Sequence, residues 1–355
     1  MRVLVCPDKF AGTLSAVQAA RAIATGWSRA RPGDEVQVMP LSDGGPGFVD
    51  VLYANLGGSV HDVTVDGPMG DPVVARWLEH EGVAYLEAAA ANGLHLVPAQ
   101  ERDVWSASTR GVGQLIADAQ PLPVVIGLGG SATNDGGRGA VEVLDDVPDL
   151  LIATDVDCPL LGQAGATYGF ARQKGASEAD LPGLEDRMRA WAQQAPELAE
   201  MPGAGAAGGL GFGLMLRGGK RVSGIQVVAD AIGLEAACTR ADLVITGEGK
   251  VDWQSLHGKV LSGVLAASRN VLVLAGQIDV AGVRGFSLLD FDRDRAFSDP
   301  EGCLEDLAAK VASDLAGEFP PAEPAVPVAR HDVVGGVAQR PGNDPQEAQQ
   351  RPRHA

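Results

Sequence analysis

Short apolar runs of strand length alternate with longer stretches of helical period along most of this chain, and glycine-rich polar loops separate them. Val3 to Cys6 is such a run; a polar loop follows, then a helical pattern from Ser15 to Arg29 with Ser15 placed to cap it. Glu35 to Pro40 predicts a second strand, Leu41 to Gly47 a loop, and Val49 to Asn55 a helix. Two strand–loop–helix units in succession point to a parallel sheet with helices on its faces.

From Ser59 the rhythm changes. Val60–Val65, Val73–Leu78 and Val83–Leu86 are short alternating segments joined by Asp-Gly-Pro and Glu-Gly turns, the pattern of antiparallel strands. An alanine-rich helical stretch begins at Ala88, another helix spans Thr109 to Ala119, strand character returns at Pro123–Ile126 and Leu150–Thr154, and Ser177 to Leu198 reads as helix. Ala241–Thr246 and Val271–Ala275 are again fully apolar, in the style of the N-terminus. The expectation is an α/β protein of two domains. A parallel-sheet, flavodoxin- or Rossmann-like domain is formed by both chain ends (1–58 and 240–318), a mixed α/β domain (59–239) is inserted, and the active site lies in the cleft between them. Beyond 319 the chain is Pro, Ala, Gln and Arg without apolar period, so 319–355 is expected to be a poorly ordered tail.

The loop most suggestive of chemistry follows Pro123-Val-Val-Ile. Gly127-Leu-Gly-Gly-Ser131-Ala-Thr133-Asn134-Asp135-Gly-Gly-Arg138-Gly139 lets backbone N–H groups approach an anion and ends where a helix begins. Ser131 and Thr133 can donate to phosphate oxygens, and Asp135 can hold Mg²⁺; the plainer alternative is a tight turn with Asn134 or Asp135 as a helix cap. Oxygen-bearing glycine turns recur after other strands, at Asp43-Gly-Gly, Asp155–Asp157 and Glu248–Asp252. In parallel α/β sheets ligands bind beyond the carboxyl ends of strands, so convergence on one cleft is the economical inference.

Composition narrows the ligand. Of 28 basic residues only six are lysines, and Lys174, Lys220, Lys250 and Lys259 adjoin glycine while Lys9 lies just after the first strand; Lys310 reads as helix surface. Such lysines suit phosphate or carboxylate, although chance placement at a helix C-cap is the plainer alternative and suits Lys174 and Lys220 better than Lys9 or Lys259. A net charge of −18 with no basic stripe argues against nucleic acid. The four cysteines are scattered, form no Cys-x-x-Cys, and read as small buried hydrophobes. No run suggests a signal peptide or membrane span, so a cytoplasmic protein is expected.

Carboxylates, a few lysines and abundant backbone donors match phosphoryl transfer, in which positioning, Mg²⁺ and charge neutralisation carry most of the catalysis. No G-x-x-x-x-G-K-[ST], protein-kinase loop set or G-x-S-x-G occurs, and His257 is the one histidine in a suggestive loop. Gly203-Ala-Gly205-Ala-Ala-Gly208 formally contains G-x-G-x-x-G, but no strand precedes it. A close-packed helix start or a hinge is expected there rather than a dinucleotide loop.

Pro7-Asp8-Lys9-Phe10-Ala11-Gly12-Thr13-Leu14-Ser15 resembles the N-terminal signature of the bacterial type 1 glycerate kinases. Leu41–Asp50, Asp66–Asp71, Ile126–Gly139, Asp155–Leu160, Gln173–Ala176, Gly203–Gly213 and Thr246–Asp252 resemble the remaining blocks in order. The resemblance implies transfer of the ATP γ-phosphoryl group to D-glycerate, usually at the 2-hydroxyl, with Mg²⁺, in a monomer or homodimer. It implies Asp43, Asp135 and Lys9 as catalytic residues and Asp135, Asp155 and Asp252 as metal ligands. Asp8, Gly44, Gly45, Gly129, Gly130, Ser131, Thr133, Asn134, Lys174, Glu248, Lys250 and Lys259 would bind substrate or phosphate. Many members carry lysine where this chain has Ala11, and the segment between Leu144 and Leu150 is shorter than is typical, which leaves regular structure over Val141–Leu151 open. A non-catalytic sensor of a small organic acid or nucleotide would use the same loops, and ADP production separates it from a kinase.

Overall fold

The computed structural model describes residues 1–10, 12–256 and 260–315. Ala11, His257, Lys259 and the tail expected over 319–355 lie outside the described residues.

Thirteen strands are described: β1 (Arg2–Val5), β2 (Glu35–Val38), β3 (Ser59–Asp66), β4 (Pro72–His80), β5 (Val83–Glu87), β6 (Val124–Gly127), β7 (Leu150–Ala153), β8 (Lys220–Val222), β9 (Leu243–Thr246), β10 (Lys250–Val251), β11 (Val271–Ala275), β12 (Gln277–Ile278) and β13 (Gly285–Ser287). One sheet has the order β13-β11-β9-β1-β2, parallel throughout. Counted in chain order within that sheet, the strands run 2-1-3-4-5, the flavodoxin-like arrangement. The second sheet runs β3-β4-β5-β6-β7-β8, antiparallel from β3 to β5 and parallel from β5 to β8, and β10 pairs with β12 apart from both. The strands of the second sheet thus fall, in sequence, between the two halves of the first.

Side chains alternate across each strand, and the apolar ones divide accordingly between packed layers. Val3, Val5, Ile245, Leu272 and Leu274 face the helices Ala16–Ala30 and Pro300–Asp314 on one side of the parallel sheet. Leu4, Val244 and Val273 face the other way, into a core that also holds Phe48 and Leu52 of the helix Phe48–Leu56 and Val125 of β6. Val124, Ile126 and Ile152 point to the far side of the second sheet, against helices Arg110–Ala119 and Ala206–Leu216. Strands covered on both faces need near-continuous apolar runs, which is what β6, β9 and β11 carry.

Ser15 caps Ala16–Ala30 with a reciprocal capping box to Gln18. The helix expected over Ser177–Leu198 is two, Leu181–Ala192 and Pro196–Ala199, because Pro196 drives Ala195 out of helical geometry. The alanine run from Ala88 is helical only over Ala89–Asn92; Gly93 is extended, and Leu94 N–H donates to the Gly130 carbonyl at 2.7 Å. Between the helix Arg138–Val143 and β7 the shortened segment is a loop that buries Leu144 and Val147. All four cysteines are free, three buried and Cys158 half-buried.

The glycine-dense stretch Gly203–Gly213 is a close-packed helix start. Ala207, Gly208 and Gly209 take left-handed angles, and a Cβ on Gly209 or Gly213 would stand 2.7 Å from the Cα of Gly136 or Gly137. The two glycine turns after β2 and β6 meet as closely. A Cβ on Gly127 would collide with the Gly44 carbonyl, and one on Gly129 would lie 2.7 Å from the Gly45 Cα.

Gly127→Ala is therefore expected to destabilise the protein by about 2 kcal/mol, since backbone rather than a movable side chain blocks the methyl group. Gly169→Ala, in helix Ala166–Phe170 with open space around it, is expected to be neutral or slightly stabilising. Urea unfolding of the two variants checks this; equal stabilities contradict the close approach.

Candidate active site

In an open parallel sheet of this order the crevice lies beyond the carboxyl ends of the strands where the order reverses, here between β1 and β9. Asp8 and Lys9 follow β1, and Gly247 to Gly249 follow β9. The loops are tied together by Asp8 N–H to the Gly247 carbonyl (2.8 Å) and Gly249 N–H to the Lys9 carbonyl (3.4 Å). A third loop, after β2, joins through Leu41 N–H to the Pro7 carbonyl at 2.9 Å.

Lys9 is the centre of this convergence. Its Nζ donates to Asp43 Oδ1 at 3.0 Å and lies 3.7 Å from Asp8 Oδ1, while Asp8 Oδ1 also accepts the backbone N–H of Lys9 at 2.7 Å. Burial works against the ammonium charge, but the fields of Asp43 and Asp8 outweigh it, so the lysine holds its proton more firmly than usual. Asp8 is only 8% exposed, and burial pushes its carboxyl up, aided by the nearby charges of Asp43 and Glu248 and opposed by Lys9. Asp43 Oδ1 also accepts Gly45 N–H at 3.0 Å, which fixes the carboxylate to its own turn. A cavity of about 380 Å³ opens beside this pair, with Asp8, Lys9, Thr13, Ser42 and Asp50 among its lining. That size suits a small ligand.

A second polar cluster forms on the turn after β6. Lys174, 2% exposed, donates from Nζ to Ser131 Oγ (2.9 Å) and to the Thr133 carbonyl (2.6 Å). Burial pulls its pKa down to about 7, against the pull of the Asp135 charge. Asn134 Nδ2 donates to Thr167 Oγ1 at 3.2 Å, and Asn92 Nδ2 to Thr133 Oγ1 at 3.3 Å. The side-chain oxygens of both asparagines are buried without a hydrogen-bond partner.

The expected residues thus fall into groups. Asp8, Lys9, Asp43, Gly44 and Gly45 meet at the switch point, with the Glu248 loop alongside. Ser131, Thr133, Asn134 and Lys174 form the second cluster, and Gly129 and Gly130 lie against Gly45 and Pro46 between the two. The expected metal ligands do not gather: among the described residues no three His, Cys, Asp or Glu side chains are placed to hold an ion. Asp135 accepts from Thr109 N–H and Oγ1, Gly137 N–H and Gly139 N–H at 2.8–3.1 Å, so both oxygens tie helix starts together. Asp155 accepts from Ser223 Oγ and the N–H groups of Gly224 and Ile225 at the start of helix Gly224–Ile232. Asp252 accepts from Gln254 N–H at 2.8 Å, and Lys250 pairs with Asp279 at 2.9 Å on an exposed surface. Each of these three carboxylates does the work of a cap.

Two residues escaped the sequence reading. Arg187 donates to the Asn134 carbonyl at 2.7 Å and stacks over Trp105, but an arginine in a helical run carries no signal of that. Glu87 accepts Gly47 N–H at 2.8 Å from across the two sheets. The one clue was a charged residue closing a strand immediately before an alanine run.

Comparison with known proteins bears on this arrangement. The model of the glycerate kinase family matches residues 3–147 and 145–316. The chain is 42% identical to an uncharacterized protein of Mycobacterium bovis over 90% of this chain and 93% of that one. It is 36% identical to glycerate 2-kinase of Escherichia coli over 80% of this chain and 87% of the other. A crystal structure of a protein assigned as glycerate kinase 2 from Salmonella typhimurium LT2 superposes with a TM-score of 0.74 at 33% identity, covering 89% of this chain and 98% of that one.

The buried lysine makes a testable contribution. Because its folded pKa lies near 7, below the ordinary 10.5, the unfolded chain binds more protons between those values. Stability from this group therefore rises with pH across that window and is lost as pH falls toward 7. The stability difference between wild type and Lys174→Met should grow in favour of wild type by at most about 1.4 kcal/mol per pH unit above neutrality. Urea titrations at several pH values measure it, and a flat difference means that Lys174 keeps ordinary acidity.

Proposed function

The chain belongs to the glycerate kinase family, and on that premise we propose that it transfers the γ-phosphoryl group of ATP to the 2-hydroxyl of D-glycerate. The observation that carries this reading is Lys9 held between Asp43 and Asp8 at the switch point of a parallel sheet. Phosphoryl transfer asks little covalent chemistry of a protein and much positioning and charge neutralisation. Lys9 supplies a firmly held positive charge for the transferring group or the glycerate carboxylate. Asp43, beside it and partly exposed, orients the attacking hydroxyl and takes its proton as the new O–P bond forms. Asp8 sets the position and charge of Lys9. Ser131, on the neighbouring turn and braced by Lys174, offers its hydroxyl with the Gly129–Gly130 backbone to phosphate oxygens.

The donor set fits magnesium that arrives with the nucleotide rather than a resident ion. Without a three-ligand cage among the described residues, Asp43 and Asp8 are the carboxylates that would complete a shell made mostly of phosphate and water. When bound, the ion would neutralise the phosphate charge. Asp135 enters this scheme as a positioning residue, through Lys174 and the turn it closes. Residues 1–58 with 240–318 form one lobe and 59–239 the other, with the reaction where their glycine turns meet. A cytoplasmic monomer or homodimer with no nucleic-acid or membrane partner completes the proposal. The charge of −18 supports the former exclusion, and no helix among the described residues is long and apolar enough to cross a membrane.

Lys9→Met and Asp43→Asn are expected to lower kcat by about a hundredfold or more while leaving the melting temperature close to wild type. Asp135→Asn is expected to act chiefly on stability. A coupled assay for ADP with D-glycerate and Mg-ATP, and phosphorus NMR of the product, provide the measurements. Near-normal turnover in the first two variants overturns the assignment, and glycerate binding without ADP release would make the protein a sensor.

A further inference from the structure

Glu87 takes no part in the phosphoryl transfer itself. Glu87 ends β5 in the second sheet, opposite Gly127 of β6. Its side chain reaches out of that sheet to the helix Phe48–Leu56, which starts from the loop carrying Asp43. That helix has no side-chain cap of its own: Gly47 stands at its N-cap in a left-handed conformation, with φ 95°. Glu87 Oε2 accepts Gly47 N–H at 2.8 Å, and the N–H groups of Phe48 and Val49 also stabilise its charge. The start of this nine-residue helix is thus capped by a residue from the other sheet.

Two other charged groups act on Glu87. Asp50, in the first turn of the same helix, opposes its ionisation, and Lys9, on the loop after β1, is drawn to its charged form by the field of Glu87. The carboxylate therefore acts on the reaction centre through the backbone that leads to Asp43.

Resting on the reading of Lys9 and Asp43 as that centre, we propose that ionised Glu87 is a positioning residue, which fixes the Asp43–Gly47 turn. A neutral acid in its place still accepts the Gly47 hydrogen bond, but a charged acceptor holds an N–H about twice as strongly. Burial pushes the Glu87 carboxyl up to about 7, so the ionised state is lost in the physiological range as pH falls. Activity should carry an acidic limb to which Glu87 contributes beside Asp8.

Glu87→Gln keeps the shape and an acceptor for Gly47 while removing the charge; Glu87→Ala removes both. With Glu87→Gln, kcat above neutral pH should fall about tenfold or more, toward the level that wild type shows below its acidic limb. KM for glycerate should change little, and the limb should become shallower. Independently of any substrate, hydrogen exchange of the Gly47 amide above neutral pH should be faster in Glu87→Gln than in wild type, and the difference should shrink as pH falls and wild-type Glu87 is protonated. Unchanged kcat and acidic limb, or unchanged exchange of the Gly47 amide, overturns the proposal. So does a defect in Glu87→Ala alone, which would reduce the residue to a hydrogen-bond acceptor. Failure of wild type to phosphorylate glycerate would instead sink the functional reading, leaving the Gly47 amide exchange to judge Glu87.

Discussion

The contact on which the site depends is backbone against backbone. The turn after β2 and the turn after β6 come from different sheets, and they touch where neither can carry a Cβ: Gly127 against the Gly44 carbonyl, Gly129 against Gly45. Glycine-rich loops are usually explained by an anion that must be approached closely. Here the same glycines let two loops approach each other, which sets Asp43 beside Lys9 and brings the Ser131–Lys174 cluster next to them. Phe48 and Val125 fill the core directly beneath, and Glu87 caps the helix that leaves the first turn. Packing, close backbone approach and a charge thus act on one short segment, residues 43–47.

Much of the architecture was legible in the order of apolar runs. The return at Ala241–Thr246 to a fully buried strand after a long stretch of another style is a long-range signal, and that strand, β9, lies beside β1. Periodicity failed where local rules compete with it. Pro196 divides a helix whose apolar spacing continues across it, and Gly93 stops the alanine run as soon as it starts. The C-terminal helix had a readable start in Asp299-Pro300, where Asp299 accepts Gly302 N–H, but the polar stretch before it hid the signal. Strands of two or three residues such as β8 and β12 have too few positions to show any period.

The candidate site was legible as a set of loops and not as roles. An aspartate followed by glycines after a strand looks the same whether it waits for a metal or caps a helix. Asp43 remains half-open beside a lysine, whereas Asp135, Asp155 and Asp252 spend their oxygens on backbone N–H groups. Only three-dimensional placement separates them. Glu87 and Arg187 were missed for the complementary reason: each acts on a partner far away in sequence, and nothing in its own neighbourhood announces that partner. The ordered motifs nevertheless identified the family, because a series of blocks in sequence carries information that no single glycine turn does.

If the two turns position the chemistry, a change confined to their contact should disable transfer in a folded protein. Gly129→Ala adds one methyl group that would lie 2.7 Å from the Gly45 Cα, and it alters no side chain at the reaction centre. The direct measurement is its kcat for glycerate phosphorylation well below its melting temperature, alongside a circular dichroism spectrum. The account predicts a native spectrum with kcat reduced about tenfold or more, since small displacements of reacting groups carry penalties of that size. A folded Gly129→Ala enzyme with wild-type kcat would contradict it.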